Sequence, residues 1–497
     1  MKKFSIITIA LVFATAFMGC EKLGEDLERD PNRPTRSEVY GSGEDLRSNA
    51  GNLFNTWYTG THSFSSVYMM LATASDNVTC SWGNQAMRDM SWEPRNAWNN
   101  APNYTYQAIT KYLFDKMYAT IVPASDILYA LNNGVEVGVG GADNNLVKAV
   151  CRFNQGISYG ALALFFDKAF IVDEVKSIPG ATVDSSVSYE AVAEAALGYL
   201  DEAIALSSSS FTVPAAWLGT TTDYSNVEFA KLCNSFAARI MSYMPRNKTE
   251  HAAVNWAKVK TYADAGLTSD FVINMDGYVK WYAEAADYLC YPGWGKVDMY
   301  VVNLLDDTQP AHWTDNSSFP TPPESTNPDD ARMETDFEYS SLNWFQATRG
   351  YYHFSNYRYK RYDDQFALGV GPIPEFMKAE NDILKAEARA YTSDLSGAAT
   401  IINAGTRVTR GNMTAVPAVL TDIEKAIHHE RHVEMYLTGM GIPFFEMRKK
   451  NLLQKGTPLH WPLPGKTLET FAVKQPFYTF GGVANADGIN TSNVGWR

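Results

Sequence analysis

The segment His428-His-Glu-Arg-His432 sets three imidazoles and a carboxylate within five residues. His428 and His432 stand four apart and share one helix face, a spacing that suits two zinc ligands. A zinc-hydrolase helix also needs Glu directly after the first of those histidines, and His429 stands there instead. The segment is therefore read as an ion-pair network on Glu430 and Arg431 that bridges helices, with exposed histidines. Glu380 and Glu387, seven apart, lie along a helical stripe with Ile373, Met377, Ile383 and Leu384, as paired acid/base carboxylates could. Arg389 and Arg407 are at hand to satisfy them, so they are read as partly buried structural acids. No GxSxG, Walker-type or GxGxxG segment lies in a strand–helix setting. The expectation is a chain with no catalytic residue, no metal and no cofactor.

A second kind of chemistry needs no reaction. Pyranose rings stack their axial C–H groups on flat aromatic faces, while planar polar side chains bond the hydroxyls. Trp82, Trp92 and Trp98 lie among Asn77, Asn84, Gln85, Arg95 and Asn96, and Trp281, Tyr282, Trp294 and Trp313 lie among Asp298, Asn303 and Asn316. Asp76 and Asn77 end a helix and run directly into Trp82. These nine residues, Asp76, Asn77, Trp82, Trp92, Trp98, Trp281, Tyr282, Trp294 and Trp313, are the candidate carbohydrate contacts. The competing reading of each Trp is core packing, and Trp57, Trp217 and Trp256, in or beside helices, are assigned to it.

The elements that must position these rings are mostly helices. Ser188 reads as an N-cap for a helix over Tyr189–Leu206, with Val192, Ala196, Leu200 and Ala203 on one stripe. Further helices are predicted over Asn52–Ala74, Tyr106–Leu131, Asn144–Phe166, Val227–Met244, Trp256–Ala265, Ile373–Tyr391, Ala398–Arg407 and Ile423–Leu437. Ala-rich helices in succession predict a mostly α fold, a tetratricopeptide-like helical-hairpin superhelix with few short strands, such as Asp270–Asn274. Two irregular aromatic loops interrupt it, at about 82–106 and 278–362, and make up the ligand-binding remainder. Cys80, Cys151, Cys233 and Cys290 show no CxxC spacing and read as buried small hydrophobes.

Composition narrows the function. The 497 residues carry a net charge of −13, 45 % apolar residues and 13 % aromatics, which excludes disorder and argues against a nucleic-acid partner. Lys2 and Lys3 precede an apolar run, Phe4–Phe17, that is too short to span a bilayer. Gly19-Cys20 follows and resembles a bacterial lipobox. Residues 1–19 are thus read as a lipoprotein signal peptide, 20–45 as an acylated Cys20 with a charged tether, and 46–497 as one domain.

Motifs spread along the chain resemble the SusD-like (SusD/RagB) family of outer-membrane nutrient-binding lipoproteins. Leu27-Glu-Arg-Asp-Pro31 follows the lipobox as in that family. Ala386-Glu-Ala-Arg-Ala390 with Asn403 and Arg407 resembles its helix pair, and Glu430-Arg431 with Glu434 and Gly439–Arg448 its acid–arginine block. Trp461-Pro-Leu-Pro464 and Asn493-Val-Gly-Trp496 resemble its later turn and its terminus. Ile442-Pro443 departs from the usual arginine and aromatic. The resemblance implies four tetratricopeptide-like hairpins packed on a SusC-like TonB-dependent transporter, and an outward, irregular remainder that holds ligand. It implies a lipid anchor through Cys20 at the outer-membrane surface, and non-catalytic capture of oligosaccharides or, in some related members, of peptides.

Overall fold

Ser225 shows how local chemistry starts the helices. Its hydroxyl accepts the Glu228 N–H at 3.2 Å, and the Glu228 carboxylate accepts the Ser225 N–H at 2.8 Å. This reciprocal cap satisfies two donors that a helix start leaves open. The computed structural model describes residues 39–80, 82–93, 95–178, 180–312, 323–341 and 354–482. The helices used below are α1 (Leu53–His62), α2 (Tyr68–Ala74), α3 (Gln107–Asn132), α4 (Asn144–Phe165), α5 (Tyr189–Leu206), α6 (Asn226–Tyr243), α7 (Trp256–Asp264), α8 (Glu284–Cys290), α9 (Met299–Leu305), α10 (Lys378–Tyr391), α11 (Leu395–Ala404), α12 (Leu420–Val433) and α13 (Ile442–Lys449).

Successive helices pack as a stack: α3 on α4, α4 on α5, α5 on α6, α6 on α7, α7 on α10, α10 on α11, and both of these on α12. Glycines admit the close approaches. A Cβ at Gly160 would lie 2.3 Å from Ile240 Cδ1, and one at Gly156 would lie 2.6 Å from Leu200 Cγ. The mostly α fold with few short strands is as the sequence predicts. The stretch predicted as one helix over 52–74 is two, α1 and α2, parted at Ser63–Val67.

Helices α7 and α10 are neighbours in space, so the chain between them leaves the stack and returns to it. Two antiparallel strands close the base of this excursion, β2 (Phe271–Asp276) after α7 and β6 (Val370–Phe376) before α10, with Ile373 opposite Ile273. Here the sequence expectation is corrected, because Ile373–Phe376 is strand and the helix begins at Lys378. Pro372 and Pro374 lack the N–H groups that a helix or a central strand would need, which a two-stranded edge tolerates. Nor is 278–362 without structure. It holds α8, α9, β3 (Gly295–Val297), β4 (Phe337–Tyr339) and β5 (Tyr357–Tyr359). Strand β3 pairs with β1 (Val78–Cys80), and β4 pairs with β5.

Inside the stack the charges are buried and paired. Arg239 binds Glu375 at 2.8 Å and Glu380 at 2.7 Å. Arg431 binds Glu387 at 2.6 Å and Glu446 at 2.5 Å, and Lys449 adds a contact to Glu387 at 2.7 Å. Burial would push the Glu387 and Glu446 carboxyls up, but Arg431 and Lys449 outweigh it and hold both well below the usual carboxylate range. Glu380 and Glu387 are fully rather than partly buried, and they are paired with Arg239, Arg431 and Lys449 rather than with Arg389 or Arg407. Arg389 pairs instead with Asp264. Cys151, Cys233 and Cys290 are buried free thiols.

Candidate functional site

The ladder of β1 and β3 brings two distant tryptophans together. Its register sets Cys80 opposite Gly295, so Trp82, two residues beyond, meets the turn before β3. There the Trp82 indole N–H donates to the Gly293 carbonyl at 2.8 Å, across 211 residues of chain. Gly293 has φ +87°, a left-handed conformation that costs glycine no Cβ clash. Gly295 has no room for a side chain, since a Cβ would lie 2.2 Å from the Leu289 carbonyl oxygen.

Helix α8 supplies the next ring. Ala285, Ala286, Leu289 and Cys290 are buried at helical spacing, which turns Glu284, Asp287 and Tyr288 to the half-exposed side. Four half-buried rings then follow one another, each tilted on the next. Phe64 lies 4.5 Å from Tyr288, Tyr288 lies 4.7 Å from Trp294, and Trp294 lies 6.0 Å from Trp82, measured between ring centroids. Glu284 fixes the Phe64 end by accepting its backbone N–H at 2.7 Å. Tyr291, on the turn leading to Trp294, is 59 % exposed.

Polar groups border the strip. Tyr282 donates its hydroxyl to Asp287 at 2.5 Å and packs edge-on against exposed Tyr278. Burial pushes the Asp287 carboxyl up. Arg358 pairs with Glu338 at 2.5 Å and Asp363 at 2.6 Å, and donates to the Cys290 carbonyl at the end of α8. Planar polar groups, carboxylates and a guanidinium, thus stand at α8 and its C-terminal end.

The structure separates the predicted contacts. Trp82, Trp294 and Tyr282 belong to the strip and its border. Trp92 is half-buried under the Arg88 guanidinium, 5.8 Å from its ring centroid. Trp98 is 2 % exposed and packs edge-on against Tyr104 and Trp461. Trp281, 5 % exposed, sits among Phe54 and Tyr58. Asp76 is buried on Arg95 at 2.7 Å and Gln454 at 3.1 Å. Asn77, fully buried, holds the His432 side chain, and its carbonyl accepts from Tyr436 at 3.0 Å. Trp98, Trp281, Asp76 and Asn77 pack or tether the core, and none of these four faces solvent. Trp313 lies outside the described residues, as does Cys20. Phe64 and Tyr288 were not among the predicted contacts. Neither carries a signal in the sequence: Tyr288 sits on α8, which at seven residues is too short to show a stripe, and Phe64 lies in the break between α1 and α2.

The histidine segment is part of the scaffold. His429 contacts Asp330 at 2.8 Å, Glu430 meets Arg332 at 2.7 Å, and Arg332 also reaches Glu434 at 3.0 Å. The predicted network is present, but His429 and His432 are buried rather than exposed, because α12 is enclosed by its neighbours on several sides. Burial holds the His432 imidazole well below its usual pKa, so it stays neutral.

The sequence matches no family model and no curated protein. Solved structures do match. A SusD-like carbohydrate-binding protein from Bacteroides vulgatus ATCC 8482 aligns at TM-score 0.54 and 15 % identity over 92 % of this chain and 94 % of its own. A SusD homolog from Bacteroides thetaiotaomicron VPI-5482 aligns at 0.56 and 12 % identity, over 92 % and 100 %. This chain has a SusD-like fold. A SusD superfamily protein from Parabacteroides distasonis ATCC 8503, at 0.57 and 11 % identity over 85 % and 90 %, shows the same correspondence. Within the SusD-like fold the helical stack is the frame, and the ring strip stands where the excursion of residues 265–377 meets the loop after β1. Among the described residues no helix is long and apolar enough to cross a membrane.

Proposed function

We propose that this chain is a non-catalytic, cell-surface lipoprotein that captures oligosaccharides on the strip Phe64–Tyr288–Trp294–Trp82 and passes them to a SusC-like TonB-dependent transporter. The observation that carries the reading is the contiguous run of four half-buried rings with paired charges on its border. Stacking gives a saccharide apolar contact without a deep pocket, and Asp287, Glu338, Asp363 and Arg358 are placed to bond its hydroxyls. The lipobox at Gly19-Cys20 and the carbohydrate-binding neighbour of the same fold support the surface location and the ligand class. Tethering to a transporter would let modest affinity suffice, with Kd in the micromolar to millimolar range, about −4 to −8 kcal/mol.

The test is affinity electrophoresis and titration calorimetry across plant, mucin and microbial glycans, with Trp294→Ala alongside. Binding of one glycan class that the variant loses supports the reading. Peptide binding with no glycan binding would overturn it.

A further inference from the structure

Glu284 and Asp287 differ from the acids around them. Glu380, Glu387 and Glu446 are buried against arginines, and beside the strip Glu338 and Asp363 share Arg358. Among the described residues neither Glu284 nor Asp287 enters an ion pair. Each commits one oxygen to a neutral donor. Glu284 Oε2 accepts the Phe64 N–H at 2.7 Å, and Asp287 Oδ2 accepts the Tyr282 hydroxyl at 2.5 Å. The second oxygens, Glu284 Oε1 and Asp287 Oδ1, accept no hydrogen bond among the described residues and are not closed off from water.

Their place beside the rings is fixed by the helix. Residues three and four apart are neighbours on its surface, so Glu284, Asp287 and Tyr288 share the half-exposed side of α8. Phe64, whose backbone Glu284 holds, lies 4.5 Å from Tyr288 between ring centroids. Two open carboxylate oxygens thus stand within a turn of two half-buried rings. The open N–H groups at the start of α8 make acids tolerable there, but no cation is near enough to cancel them. Lys296 is buried, and the charges that act on it are Arg358 and Glu338. Burial and, behind it, the charges of Asp363 and Glu284 push the Asp287 carboxyl up against the Tyr282 hydrogen bond, so a cation arriving here relieves a repulsion. Aromatic rings with unpaired carboxylates beside them are the surroundings that attract a cation, through the ring quadrupole and the charge together. We infer that the strip selects a glycan with free, protonated amino groups, an unacetylated amino sugar whose ring stacks on Tyr288 and whose ammonium takes Glu284 Oε1 and Asp287 Oδ1. The inference rests on the capture reading and adds to it the charge of the ligand.

Calorimetry on the full chain tests it with an oligomer of β-linked D-glucosamine, its N-acetylated counterpart of equal length, and an oligogalacturonate. Mildly acidic buffer keeps the glucosamine amines protonated. The glucosamine oligomer is expected to bind at least about tenfold tighter than the N-acetylated one and to lose affinity as salt is added, while the oligogalacturonate does not bind. The double variant Glu284→Gln with Asp287→Asn keeps an acceptor for Phe64 and for Tyr282 and removes the charges. It should weaken the glucosamine oligomer at least about tenfold and the N-acetylated one by less. Trp294→Ala should weaken both, which a general attraction to a chain of net charge −13 would not produce. Thermal melts establish that each variant is folded. The inference is overturned if the glucosamine oligomer does not bind, if either other probe binds equally well, or if the folded double variant keeps full affinity. Binding of the N-acetylated oligomer or the oligogalacturonate alone, lost in Trp294→Ala, removes the charge preference and leaves the capture reading standing. Should the double variant fail to fold, the three probes and the salt series on the unmodified chain still decide.

Discussion

The helical stack and the ring strip invert one another. The stack hides its charges, with Arg239, Arg431, Glu375, Glu387 and Glu446 all buried and paired, whereas the strip leaves Trp82, Trp294, Tyr288 and Phe64 half in water. Buried pairs confer little net stability but are costly to break, so they hold the frame to one arrangement. Half-buried rings do the reverse. They forgo part of their burial energy and keep apolar surface in contact with water. Tryptophan therefore has two roles in this molecule, and only its surroundings distinguish them.

The largest effect should come from breaking the frame. Arg431→Ala leaves Glu387 and Glu446 buried without their main counter-charge, and a loss of about 3–5 kcal/mol is expected, read by chemical denaturation. Trp281→Ala should follow, at about 3–5 kcal/mol for a core aromatic truncation, with glycan affinity of the folded fraction unchanged. Trp294→Ala is the mirror case. Glycan affinity should fall at least about tenfold, the loss of one stacked ring, with stability shifted by less than about 1.5 kcal/mol. Equal stability losses for Trp281→Ala and Trp294→Ala would erase the contrast between the two regions.

Acid should also separate them. Glu387 and Glu446 titrate lower in the folded chain than in the unfolded one, so the unfolded state takes up more protons as pH falls. Their contribution is present above about pH 4.5 and is lost as pH drops through the folded values, by at most about 1.4 kcal/mol per pH unit for each. Denaturation midpoints should therefore fall steeply below about pH 4.5, and Glu387→Gln should flatten that limb if it folds. The smallest effect is expected at the border: Tyr282→Phe removes one hydroxyl contact to Asp287, worth about 1 kcal/mol, and should change glycan affinity only a few-fold.

Legibility followed length and burial. Helices α5, α6 and α7 were readable to within a residue or two, because starts such as Ser188 and unbroken apolar stripes run over several turns. Ile373–Phe376 was misread, since Ile373 continues the helical stripe of Met377 and Leu384 and only pairing with β2, about 100 residues earlier, makes Ile373–Phe376 strand. The elements at 284–359 escaped because stretches of three to seven residues carry too little periodicity to detect. In the site, Trp82 and Trp294 were legible as rings among polar loop residues. Trp98 and Trp281 have the same local composition and differ only in what packs over them, which sequence does not record.

The β1–β3 ladder has a consequence for how the molecule comes to exist. It is three residues long on each side and joins segments more than 200 residues apart. So short and so distant a pairing forms only after the loop it closes has lost most of its freedom. The strip exists only when both the chain before α3 and the excursion after α7 are in place. A chain arrested partway would own every one of the four rings and present no strip, so binding on the strip, as proposed, would report a finished fold.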